Sequence, residues 1–155
     1  MLAEYEMPSY ARRSLELVGP AGPAEGALNA DAFGDANGRF LEELMRRLSA
    51  PLPSRWLSIL LRRTLAAQLA TPRDVNGANF AAERAWLLLR MGEADAARAV
   101  VQSVDNANYT PKLYQVAMNA MLANGDPAGL CPLASGGVAA THERCLLYTS
   151  DAADE

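Results

Sequence analysis

The sequence predicts an all-α fold with about five main helices and no sheet. From about residue 38 onward, apolar residues recur at three- and four-residue spacing, and alternating β-strand patterning is absent throughout. The chain has 155 residues, 50% of them hydrophobic and 21% charged, which suffices for one domain with its own core. We therefore predict a lead-in over residues 1–37, a helical domain over 38–144 and a separate tail over 145–155.

Residues 1–37 are predicted to form an extended, loosely ordered arm that lies on the helical domain. Prolines and glycines interrupt any periodicity there, and Leu15, Leu17 and Val18 are too few to form a core. The glycines do not form a phosphate-binding loop, because no Gly-Lys-Ser/Thr sequence follows them.

The first two helices are delimited by proline and by capping residues. The first begins near residue 38 and ends at Pro51-Leu52-Pro53. Its Glu42 and Glu43 each lie four residues before an arginine, a spacing that supports a helix surface. Ser54 is the predicted cap of the second helix, which spans about residues 55–70.

The third helix is predicted to lie at the centre of the core, because it is apolar nearly all round. Asn79 is its predicted cap, and Thr110 followed by proline is the predicted cap of the fifth helix. The last three helices are predicted over about residues 80–91, 94–104 and 111–123.

A turn is predicted at residues 133–137, after the shorter helix that follows the fifth one. Leu133-Ala134-Ser135-Gly136-Gly137 is rich in glycine and would lead into a missing further hairpin. Without that hairpin, we expect apolar surface to be exposed near Val138 and beyond.

Two turn sequences, Met91-Gly92-Glu93-Ala94 and Asn124-Gly125-Asp126-Pro127, each separate a long helix from a shorter one. Their glycines are 33 residues apart, close to the roughly 34-residue period of tetratricopeptide repeats. Small, apolar and glycine residues also stand at that family's characteristic positions: Ala85, Leu88, Gly92, Ala97 and Val101. Residues 79–134 therefore resemble TPR-like repeats, and the resemblance implies stacked antiparallel helical hairpins. The segment from Phe40 to Leu133 also resembles uncharacterised helical proteins of high-GC proteobacteria, which implies no activity.

The last eleven residues, Cys145 to Glu155, resemble translated adapter read-through from transposon-based sequencing libraries. Excluding them removes three of the 18 acidic residues. The remaining 15 acidic and 14 basic residues change the formal net charge from −4 to −1. We therefore expect a fragment whose natural chain continues beyond Arg144 and for which Met1 is an internal residue.

No catalytic, cofactor or metal site is predicted. His142 is the only histidine, and the carboxylates are spread over helix surfaces and helix starts without a converging pair. Cys131 is interpreted either as a small buried apolar residue or as the partner of a cysteine outside the fragment.

The preferred functional prediction is a non-catalytic helical-repeat module or scaffold that binds another protein or a peptide. Polar residues of the third and fifth helices are predicted to be exposed on its inner surface and to hold a peptide carboxylate or backbone: Arg84, Arg90, Lys112, Gln115 and Asn119.

Two alternatives remain open. In the first, the helices are an accessory region of a larger enzyme, such as a cell-wall enzyme, whose catalytic part lies outside this sequence. In the second, an arginine-rich face binds nucleic acid or anionic lipid, through Arg46, Arg47, Arg55, Arg62 and Arg63. Nucleic acid is the less favoured partner, because stacking aromatics and a high pI are missing.

The sequence also bears on location. No apolar stretch approaches the roughly 18 residues of a transmembrane helix, so a transmembrane segment is excluded. The first residues carry acids where a secretory signal would carry bases, which favours the cytoplasm. A signal peptide upstream of Met1 would instead indicate a periplasmic or secreted protein. Oligomeric state and partner identity stay open.

Overall fold

The computed structural model describes residues 8–141, and this part of the chain contains six α-helices and one short pair of strands. The helices are α1 (Gly38–Arg47), α2 (Arg55–Ala66), α3 (Gly77–Arg90), α4 (Ala94–Gln102), α5 (Pro111–Ala123) and α6 (Cys131–Thr141). The strands β1 (Leu17–Val18) and β2 (Leu69–Ala70) pair in antiparallel register. The predicted helical class is confirmed, whereas the prediction that no sheet is present is wrong.

Three predictions lie outside the described residues. They concern the side chain of Val138, the role of His142 and the origin of residues 145–155.

Short polar side chains cap the N-termini of α1, α2, α3 and α5, as the sequence predicts for two of them. The Ser54 side chain accepts a hydrogen bond from the Leu57 amide at 3.4 Å, and the Thr110 side chain accepts one from the Leu113 amide at 3.3 Å. At α3 the predicted cap is wrong by three residues. Asn76, not Asn79, accepts hydrogen bonds from the first free amides of the helix.

Helix α3 lies at the centre of the core, as its nearly all-apolar surface predicts. It packs against α1, α2, α4 and α5. Fully buried alanines alternate with large apolar residues along it, among them Ala81, Ala85 and Leu88. Small side chains at these positions let the neighbouring helices approach closely, which explains why so short a chain can bury α3 on several sides.

The segment before α1, predicted as an extended arm on the helical domain, contacts the domain at a few points and is otherwise mostly exposed. Val18 is buried in the core, and the Phe33 ring packs edge-on against Phe80 with ring centroids 5.6 Å apart. Backbone hydrogen bonds run from Thr71 to Glu16 at 2.8 Å and from Gln68 to Ala21 at 2.6 Å. The few apolar residues of this segment pack against the core residues of α2 and α3.

The second helix ends at Ala66, four residues before its predicted end. Its continuation, Leu69–Ala70, is extended and pairs with Leu17–Val18. Two-residue strands are too short to show an alternating pattern, so the sequence carries no periodic signal for them.

Residues 133–137, predicted to form a turn, lie within α6. A Cβ atom at Gly136 would lie 2.3 Å from the Tyr114 hydroxyl, and one at Gly137 would lie 2.9 Å from the Met118 sulfur. These glycines therefore allow α6 to approach α5 closely, and they do not end the helix.

We predict that replacing Gly19 by alanine strongly destabilises the protein. Gly19 has φ +141°, and an added Cβ atom would lie 2.1 Å from the Ala67 carbonyl oxygen, where strand β1 crosses the end of α2. Backbone strain and overpacking together should lower the free energy of unfolding by about 3 kcal/mol or more, measured by urea denaturation.

Gly34 provides the matched control for this substitution. It also has a positive φ, +49°, but a Cβ atom there would meet nothing within 4 Å. Gly34→Ala should cost only about 1 kcal/mol, from backbone strain alone. Equal effects of the two substitutions would contradict the integration of this segment into the core.

Candidate functional site

A groove of about 410 Å³ opens on the surface between α1, α3 and α5. Charged, amide and aromatic side chains line it, contributed by all three helices: Arg46, Glu83, Trp86, Lys112, Gln115, Val116 and Asn119. We refer to it as the α1–α3–α5 groove. Three of the five residues predicted to bind a partner, Lys112, Gln115 and Asn119, lie in it.

Helix α5 contributes a row of polar side chains to the groove. Lys112, Gln115 and Asn119 are spaced three and four residues apart, which places them on one face of the helix. The opposite face carries Leu113 and Ala117, which are fully buried. Because the buried face fixes the rotation of α5, the polar row points toward the groove.

Two amide side chains in this row have no hydrogen-bond partner in the part of the chain that the structure describes. Within residues 8–141, neither Gln115 nor Asn119 makes a side-chain hydrogen bond. Each amide offers two donor hydrogens and an acceptor oxygen. The groove therefore presents donors and acceptors that are satisfied only by solvent or by a ligand.

Glu83 forms the charged floor of the groove. It is only 3% exposed, and its Oε1 accepts hydrogen bonds from Arg46 Nε and Lys112 Nζ. The hydrogen bond to Glu83 raises the pKa of Arg46 above its ordinary value. One carboxylate thus joins α1, α3 and α5, while both cations keep part of their surface in solvent.

Trp86 supplies the apolar wall. It lies one helical turn after Glu83 on α3 and is 40% exposed, which is unusual on a helix that is otherwise buried. The sequence prediction assigns Trp86 to the apolar residues of the buried helix and Glu83 to the carboxylates of helix surfaces, and it misses the role of both in the groove. The signal was available, since Glu83 is one of the few polar residues of an apolar helix and needed a partner.

Arg84 was predicted to be an exposed partner-binding residue, and this is wrong. Its side chain is 1% exposed, and it donates hydrogen bonds to the backbone carbonyls of Leu65, Ala67 and Val18. Desolvation by burial lowers the pKa of Arg84 to about 10. Arg84 therefore binds the end of α2 and strand β1, not a partner.

Arg90 is also misassigned by the sequence prediction. Its guanidinium donates hydrogen bonds to the carbonyl oxygens of Arg46 at 3.1 Å, Met45 at 3.3 Å and Leu48. These carbonyls belong to the last turn of α1, where backbone acceptors have no intrahelical partner and a cation is favoured. Arg90 thus caps α1 from α3.

The five arginines of the predicted basic face differ in whether a carboxylate neutralises their charge. Arg46 is bound to Glu83, Arg47 pairs with Glu43 at 2.6 Å, and Arg62 pairs with Glu93 at 3.1 Å. Within residues 8–141, Arg55 and Arg63 have no ion-pair or hydrogen-bond partner, and both are exposed on α2. Of these five arginines, the two without a partner in this part of the chain therefore both lie on α2.

The described residues show little other candidate chemistry. Within residues 8–141, no three His, Cys, Asp or Glu side chains are grouped so that they could hold a metal ion. In the same part of the chain, none of the helices combines the length and apolar content of a membrane span. Cys131 is half-buried at the start of α6.

Glu83→Gln should destabilise the protein, because it removes the buried charge that joins the three helices of the groove. Loss of two charge-assisted hydrogen bonds from a buried carboxylate should lower the free energy of unfolding by about 2–3 kcal/mol, measured by chemical denaturation. The solvent exposure of Arg46 and Lys112 limits the loss, since both can be rehydrated.

Glu43→Gln is the matched control, since Glu43 pairs with Arg46 and Arg47 on the exposed surface of α1. Surface ion pairs contribute little, so this change should stay within about 0.5 kcal/mol. A Glu83→Gln variant no less stable than Glu43→Gln would show that Glu83 does not hold the groove together.

Comparison with known proteins adds no further assignment: no protein-family model, curated protein sequence or solved structure matches this chain.

Proposed function

We propose that this chain is a non-catalytic, helical-repeat interaction module that binds an extended segment of another protein in the α1–α3–α5 groove. The observation that carries the proposal is the pair of amides, Gln115 and Asn119, which have no hydrogen-bond partner within residues 8–141 and lie beside the exposed Trp86. Polar groups that have no internal role are placed next to an apolar surface, which is typical of binding sites.

The packing of α3 to α6 supports two stacked TPR-like hairpins. Helix α3 packs against α4, and α5 against α6, while α3 also packs against α1 and α5, and α2 packs against α3 and α4. The two turns are also joined, because the Asn124 amide donates to the Ala94 carbonyl at 2.9 Å and Arg98 pairs with Asp126 at 3.2 Å. In such a stack, α1, α3 and α5 form the inner surface.

The groove chemistry suits a peptide backbone. An extended peptide exposes alternating N–H and C=O groups, and the side-chain amides of Gln115 and Asn119 can pair with both kinds of group. Trp86 offers an apolar surface of the kind that anchors a ligand side chain. Lys112 keeps 36% of its side chain exposed beside Glu83 and can donate to a ligand carbonyl or carboxylate.

The proposal is tested with a phage-displayed library of random dodecapeptides selected on the full chain. The protein has two tryptophans, so a Trp56→Phe variant leaves Trp86 as the sole tryptophan, whose emission serves as the reporter. We expect selected synthetic peptides to change the Trp86 emission. Trp86→Ala and Asn119→Ala should each weaken peptide binding about tenfold or more, since truncated anchors typically cost over 1.4 kcal/mol.

Trp56→Ala is the control, because Trp56 is an exposed tryptophan on a different helix, α2. It should leave peptide affinity unchanged within about twofold. The proposal fails if no peptide is enriched above background. It also fails if enriched peptides bind the Trp86→Ala and Asn119→Ala variants as tightly as the parent protein.

A further inference from the structure

The outer face of α2 carries large apolar side chains in solvent. Trp56 is 80% exposed and Leu60 is 54% exposed, and they lie one helical turn apart on the same face. Leu57, on the flank of this face, is also exposed. The opposite side of α2 packs against the core through Leu61 and Leu65.

Positive charge accompanies this apolar face. Arg63 lies seven residues after Trp56 and thus on the same side of the helix, while Arg55 precedes Trp56 directly. Both arginines are exposed and have no ion-pair partner within residues 8–141, and α2 contains no acidic residue. We refer to Arg55, Trp56, Leu57, Leu60 and Arg63 as the α2 face.

We infer that the α2 face binds the surface of an anionic phospholipid membrane. Helices that lie in a membrane interface combine an aromatic and aliphatic side with basic residues beside it. Trp56 suits the headgroup level, Leu57 and Leu60 reach the acyl boundary, and the two arginines meet lipid phosphates. The remaining helices stay in water, because α2 lies flat on the surface and does not enter the bilayer.

Two other occupants fit the α2 face less well. A second copy of this chain, bound through the same face, would bring unneutralised arginines of one protomer against those of its partner. Nucleic acid would meet Arg55 and Arg63, but its polar, hydrated backbone would leave the leucines between them without an apolar contact. An anionic lipid surface satisfies the charged and the apolar side chains together.

Binding is measured with the full chain and sucrose-loaded vesicles of phosphatidylcholine, with or without one quarter phosphatidylserine, at low and at physiological salt. We expect at least about tenfold tighter binding to the anionic vesicles, weakening as salt screens the charges. In a Trp86→Phe background, the emission of Trp56 should shift to the blue and be quenched by brominated lipid.

Substitutions separate the α2 face from a general charge effect. Arg55→Gln and Arg63→Gln should each weaken vesicle binding about fivefold, and Leu60→Ser should weaken it about tenfold. Arg47→Gln is the matched control, because Arg47 is exposed but already paired with Glu43. It removes the same charge and should change vesicle binding less than about twofold.

The inference is overturned if the protein does not bind anionic vesicles at low salt. It is also overturned if Arg47→Gln and Arg63→Gln weaken vesicle binding equally. Tighter binding to a short DNA duplex than to anionic vesicles would assign the α2 face to nucleic acid. A concentration-dependent dimer in sedimentation velocity, dissociated by Leu60→Ser, would assign it to a second copy.

Discussion

The structure depends on a buried cation, Arg84, that has no carboxylate partner among residues 8–141. The guanidinium of Arg84 is compensated by the backbone carbonyls of Leu65, Ala67 and Val18. A buried charge is costly unless its hydrogen bonds are satisfied, so these three carbonyls must converge on one point of α3. This requirement holds the end of α2 and strand β1 against the central helix. It also explains why α2 ends at Ala66.

The same constraint places the two candidate binding surfaces. Because Arg84 points toward α2, the preceding residue, Glu83, points about 100° around α3 and reaches Arg46 and Lys112. The rotation of α3 therefore puts Glu83 on the floor of the groove and Trp86 in its wall. Fixing the end of α2 also keeps Leu65 inside the core and Trp56 outside it. Groove and α2 face are consequences of one arrangement of α2 on α3.

Local and periodic features could be predicted from the sequence, whereas features created by tertiary contact could not. The caps Ser54 and Thr110 and the central position of α3 follow from rules that act within a few residues. The row from Lys112 to Asn119 follows from helical spacing. Arg84, by contrast, is of a residue type that normally lies at the surface. Its burial depends on carbonyls that lie 17 to 66 residues away in the sequence. Gly136 likewise resembles a turn residue until α5 is placed against it.

The most direct test compares Arg84→Met with Arg90→Met by urea denaturation. Both arginines reach from α3 to backbone carbonyls, but Arg84 is fully buried and Arg90 is half-buried. Arg84→Met leaves three carbonyls without their donor in the core and should lower the free energy of unfolding by about 3–5 kcal/mol. Arg90→Met should lower it by about 1 kcal/mol, because water can reach the last turn of α1. An Arg84→Met protein as stable as Arg90→Met would contradict the central role of the buried guanidinium.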